Sequence, residues 1–114
     1  MSNEKIKISV VVPPVVVHNL DPHTGIPFLP HMAAYLASSV KKNGYELEVI
    51  DCFGENSHHR KLYGDFMTLG LDPQQTLSKI SKNTKICFVY CKVIEDLLSV
   101  EKIVSLIQNK LRNN

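Results

Sequence analysis

The stretch Gly25-Ile-Pro-Phe-Leu-Pro-His-Met-Ala-Ala-Tyr-Leu-Ala-Ser-Ser-Val-Lys-Lys-Asn-Gly-Tyr-Glu-Leu-Glu-Val-Ile-Asp51 packs a loop, a helix, a turn and a strand into 27 residues. It follows an apolar run, Ile6 to Val12, that ends in Pro13-Pro14. The order is therefore strand, long loop, helix, Asn-Gly turn, strand, which is one βαβ unit. Few architectures accept that unit other than an open sheet with parallel strands. In such sheets ligands bind outside the carboxyl ends of the strands, so the long first loop is where a cofactor would sit.

The first strand, Ile6-Lys-Ile-Ser-Val-Val-Val12, begins with alternation and becomes wholly apolar, as a strand covered on both faces does. That places it at the centre. From Ala33 to Lys42, residues Ala33, Leu36, Ala37 and Val40 recur at helical spacing, with two lysines in the last turn and Asn43-Gly44 as the stop. Glu46-Leu-Glu-Val-Ile50 alternates and suits an edge, whereas Lys85-Ile-Cys-Phe-Val-Tyr90 is more continuous and suits a place beside the first strand. The sheet order 2-1-3 follows. Between the second and third strands lies a polar stretch, Gly54 to Gly70, and then Asp72-Pro73, an N-cap and first helical residue for a short helix to about Ser81. A last helix from near Ser99 to about Leu111 aligns Val100, Ile103, Val104, Ile107 and Leu111 in one stripe.

These elements define one domain, residues 1–114, of the α/β class: a Rossmann-like or flavodoxin-like three-layer arrangement with a parallel sheet in the order 2-1-3. Such a domain normally continues into a fourth and a fifth strand. The expectation is that the sheet is incomplete, its third strand presenting an apolar edge, so that the chain is truncated or completed by a partner chain.

A formal net charge of +2 with 21% charged residues gives no basic patch for nucleic acid. No apolar run approaches bilayer length, the N-terminus lacks the order of a secretory signal, and three cysteines without a framework spacing fit a reducing compartment. The sequence reads as cytoplasmic, with no membrane or nucleic-acid partner.

The motifs at hand carry a resemblance. Ile6 to Asp51, with Pro13-Pro14, Gly25-Ile-Pro27, Leu36 and Asn43-Gly44-Tyr45-Glu-Leu-Glu-Val-Ile-Asp51, resembles the N-terminal cobalamin-binding domain of radical SAM enzymes, and Lys85 to Val93 with the helix after it is similar more loosely. The resemblance implies a domain whose strand ends hold the corrin ring of cobalamin against a neighbouring catalytic barrel. Its candidate cofactor-binding residues here are Pro13, Pro14, His18, Asp21, His23, Thr24, Gly25, Ile26, Pro27, Cys91 and Val93, within two lining segments, Pro13 to Pro27 and Cys91 to Leu98. The cobalt-ligating signature Asp-x-His-x-x-Gly is approximated by Asp21-Pro22-His23-Thr24-Gly25, with the glycine one residue early, and many members of the radical SAM branch use no histidine ligand. The implied function is a corrinoid-binding module in methyl transfer. Its implied partners are cobalamin and either a radical SAM catalytic domain or a homo-oligomer partner. The chain has no Cys-x-x-x-Cys-x-x-Cys run, so an iron-sulfur cluster and S-adenosylmethionine would require sequence outside it, and it is not a radical enzyme alone.

Independently of family, a neutral imidazole is a good transition-metal ligand, and an acid two residues away can orient its other nitrogen, an arrangement that Asp21 and His23 fit; the resemblance implies cobalt as the metal and His23 as its axial ligand. The alternative is that Asp21-Pro22 opens a turn and His23 is solvated. Thr24 and Gly25 offer a hydroxyl and close backbone approach, or simply loop freedom. His31, at the start of the helix, and more weakly His18, are candidates to face a ligand, the alternative being a surface histidine that caps exposed amides. His58-His59 are adjacent, so their side chains point apart and a solvated loop is the expected state. Cys87 and Cys91 lie about 13 Å apart along a strand, too far to chelate one ion, and read as core or strand-end residues. Cys52 stands just past the second strand, where an exposed thiol near the cofactor mouth is conceivable, with no role assigned. Asp51 occupies the ribose-binding position of a dinucleotide fold, but no Gly-x-Gly-x-x-Gly follows the first strand, and no phosphate loop supports a flavodoxin-like nucleotide binder. A receiver domain needs acids ending strands one and three, where Val12-Pro13-Pro14 and Tyr90-Cys91-Lys92 stand. The competing function is a non-catalytic interaction domain of the same fold that has lost its ligand.

Overall fold

A computed structural model describes residues 6–18, 31–91 and 97–112. In chain order the elements are β1 (Lys7–Val12), β2 (Val15–His18), α1 (His31–Lys42), β3 (Glu46–Asp51), α2 (Cys52–Glu55), β4 (Arg60–Tyr63), β5 (Phe66–Leu69), α3 (Pro73–Lys79), β6 (Ile86–Val89) and α4 (Leu97–Arg112).

The main sheet is parallel and ordered β3-β1-β6, which is the 2-1-3 order expected. Register is fixed by Val11 standing opposite Ile50 on one side and Val89 on the other. These three side chains share a face. Val11 and Ile50 build the core with Cys52, Leu71 and Ile103, and Val89, Ile80, Cys87 and Ile107 pack onto it. The stripe on α4 thus covers the sheet as its spacing requires, Ile103 being 1% exposed. The opposite face holds Ile8 and Val10, both buried, under α1, whose inward residues Ala33 and Val40 are also buried. The three layers are α1, the sheet, and α3 with α4.

α1 stops where Asn43-Gly44 directs. Gly44 takes φ +85°, and the amides of Asn43, Gly44 and Tyr45 return to carbonyls of the last turn. α3 begins with a full capping box: Asp72 accepts from the Gln75 amide at 2.8 Å, and the Gln75 side chain accepts from the Asp72 amide at 3.0 Å. α4 starts at Leu97, two residues before the expected Ser99, which is buried within the first turn.

On the α4 face of the sheet, near the amino ends of the strands, a polar network ties three elements. Ser9 donates to Glu48 at 2.7 Å and contacts the Thr84 hydroxyl at 2.8 Å, while Ser81 donates to Glu48 through both its hydroxyl and its amide. Lys7 donates to the Ser81 hydroxyl. Burial raises the Glu48 pKa, but the hydrogen bonds from Ser9 and Ser81 and the Lys7 charge outweigh it, leaving the carboxyl below its ordinary range.

A second, antiparallel sheet was not expected. It is ordered β2-β5-β4, with Val15 opposite Leu69 and Arg60 also opposite Leu69. Residues 15–18, read from sequence as part of one long loop, are its first strand, and the polar stretch 54–70 contains its other two. β4 and β5 are joined by the two-residue turn Gly64-Asp65, with Gly64 at φ +62°.

Candidate functional site

The carboxyl ends of β1, β3 and β6 come together. Val12 stands opposite Asp51, Val11 opposite Val89, and the Tyr90 amide donates to the Val11 carbonyl at 2.9 Å. Three chain segments therefore converge at this end: Pro13-Pro14, Asp51-Cys52 and Tyr90-Cys91. Cys91 is exposed and Tyr90 half-buried, whereas both prolines are buried.

Pro13 and Pro14 are the short buried bend that carries the chain from the parallel sheet into β2. A prolyl nitrogen has no proton to leave unpaired, so the bend is buried without an orphaned donor. β2 then takes His18, whose backbone pairs opposite Phe66, about 13 Å from Pro14 at the rise of an extended strand. The structure thus keeps Pro13, Pro14 and Cys91 at one end and separates His18 from them. The remaining candidates, Asp21, His23, Thr24, Gly25, Ile26, Pro27 and Val93, lie outside the described residues, as does the Asp21–His23 pair offered for cobalt.

The end of β3 is closed over. Asp51 caps α2 by accepting from the Gly54 amide at 3.2 Å, so its carboxylate serves the backbone. Cys52 is not an exposed thiol: it is fully buried against Thr76 at 3.2 Å, and burial, partly offset by that contact, pushes its pKa up to about 11. A thiol so placed is protonated and inert. The Leu71 amide donates to the Cys52 carbonyl at 2.9 Å, and Gly70 approaches so closely that an ideal Cβ there would stand 2.7 Å from the same oxygen. The second sheet is fastened to the strand ends through this contact.

His58 is exposed, whereas His59 is half-buried and its side chain only 30% exposed. Its Nε2 is buried without a hydrogen bond, 3.7 Å from Asp72 Oδ2. Nothing in the sequence links residue 59 to the cap of α3; the hairpin that joins them was unread. Among the described residues no group of three or more histidine, cysteine, aspartate or glutamate side chains is placed to hold a metal. Away from the strand ends, an open groove of about 450 Å³ runs between β4, α3 and α4, where the ammonium groups of Lys61 and Lys102 stand 5.4 and 4.9 Å from the Tyr63 ring centroid. It contains none of the sequence-derived candidates.

Comparison with known proteins gives no match: no family model, no curated protein and no solved structure is significantly similar to this chain. Among the described residues no helix is long and apolar enough to cross a membrane.

Proposed function

We propose that this chain is a corrinoid-binding module that receives cobalamin at the carboxyl ends of the parallel strands and presents it to a radical SAM catalytic partner. The supporting observation is the order β3-β1-β6, which gathers Pro13-Pro14, Asp51-Cys52 and Tyr90-Cys91 at one end of the sheet. The segments bearing the other candidates, 19–30 and 92–96, are the connections that follow β2 and β6. The local chemistry suits a broad, weakly polar ring. The β1 end is two buried prolines without N–H groups, and the Cys52 thiol beneath the end of β3 is neutral. Bound cobalamin would supply the cobalt that carries a methyl group. The chain's own part is to bind and orient it, with His23 as the axial ligand to be tested.

A second reading, a ligand-free interaction domain of the same fold, draws on the apolar outer side of β6, where Ile86 and Phe88 are exposed. Visible absorption titration with hydroxocobalamin, on the wild type and His23→Ala, separates the two. A spectral change on binding, lost in the variant, assigns His23 to cobalt; binding with no change of ligation leaves a module without histidine ligation. No binding at about 50 µM, below which a dedicated cofactor site should saturate, rejects the corrinoid reading in favour of the second.

A further inference from the structure

Among the described residues, the four strands that end a sheet are not alike. β3 carries Glu46, Glu48 and Asp51, and β4 carries Arg60 and Lys61, charges of the kind that keep an edge from pairing with another chain. β2 lacks acids and lysines, but Val15, Val16 and Val17 are half-covered. β6 is Ile-Cys-Phe-Val, without charge or proline, and among the described residues its strand neighbour is β1 alone. Its α1-side face is open as well. α1 packs on β3 and β1, leaving Ile86 46% and Phe88 40% exposed. Among the described residues β6 has neither charge nor cover, and its shortness, four residues, is all that limits pairing there.

We propose that β6 is a self-association edge, at which two copies of this chain pair antiparallel about a two-fold axis normal to the sheet, Cys87 opposite its own counterpart. Three requirements fix this occupant. A strand that pairs here must be uncharged over four residues and carry apolar side chains at the two positions facing the α1 side; β6 itself is such a strand. In the two-fold register Phe88 stands across from Ile86 of the second copy, at the cross-strand spacing of about 5 Å, so both exposed apolar groups are covered at once. Charge selects the direction. Parallel pairing would set the two Lys85 side by side, whereas the antiparallel register separates them by four residues, about 13 Å and beyond the screening length at physiological salt. The contact is one short strand wide, less than a standard interface, so the dimer is weak and forms at roughly 100 µM.

Sedimentation velocity from about 10 to 500 µM tests the proposal on the intact chain, independently of any cofactor. Weight-average mass is expected to rise toward the dimer. Phe88→Lys and Ile86→Glu, both at exposed positions, are expected to give monomers with unchanged far-ultraviolet circular dichroism. The double variant, in which the lysine introduced in each copy faces the glutamate introduced in the other, is expected to recover association that salt weakens. A wild type that stays monomeric at about 500 µM, or a dimer indifferent to Phe88→Lys, overturns the proposal, and failure of the double variant to associate overturns the register.

Discussion

Gly70 and Gly44 both hold positive φ, at +130° and +85°, yet they pose different steric problems. Around Gly44 no atom lies within 4 Å of an added Cβ, so Gly44→Ala is opposed by backbone conformation alone, about 1 kcal/mol. Around Gly70 the same Cβ would meet Cys52 backbone oxygen and carbon at 2.7 and 2.8 Å and the Phe53 nitrogen at 2.9 Å, none of them able to swing aside. Gly70→Ala is therefore expected to cost about 3 kcal/mol, strain and clash together. Urea denaturation of the two variants checks the ranking; equal losses would mean that the second sheet slides on α2 without resistance.

Among the elements, those set by local chemistry were legible: the apolar β1, the α1 stop at Asn43-Gly44, and the Asp72-Pro73 start of α3 all stand where the sequence puts them. What escaped was the second sheet. Val15-Val-Val-His18 is four residues long behind two prolines, and its partner strand β5 lies about fifty residues away, so no local period announces it. β4 and β5 did leave a readable sign, Gly64-Asp65 between Arg-Lys-Leu-Tyr and Phe-Met-Thr-Leu, a two-residue turn flanked by strand formers. Of the proposed site, Pro13, Pro14, His18 and Cys91 fall on described residues, and the rest on residues 19–30 and 92–96. The link between β1, β3 and the turn after α3 has its own pH signature. The folded Glu48 carboxyl titrates below its ordinary value of 4.5, so its contribution is present above that pH and is lost as pH falls through the lower folded value. Thermal melts from about pH 6 to pH 3 are expected to show the wild type losing stability faster than Glu48→Gln. Parallel curves would place the acid sensitivity elsewhere.

For the molecule as a whole, the thiols report cooperativity. Cys91 is exposed at the end of β6, whereas Cys52 is sealed between α2, α3 and the core. Ellman's reagent is expected to modify Cys91 promptly and Cys52 only when the structure opens, at a rate that rises with urea as the global transition does. A Cys52 that reacts well before that transition would show α2 and the second sheet detaching as a unit of their own. The central position of β1 has a further bearing on how the protein comes into being. Ser9 has its hydrogen-bonding neighbours 39 and 75 residues later in the chain, at Glu48 and Thr84. At ordinary elongation speeds of about 5–20 residues per second, the central strand of the parallel sheet waits several seconds for its second neighbour. The nascent chain thus carries a bare Val-Val-Val segment while the intervening elements are made, and holding it in solution until β6 arrives is a task for whatever meets the chain as it emerges.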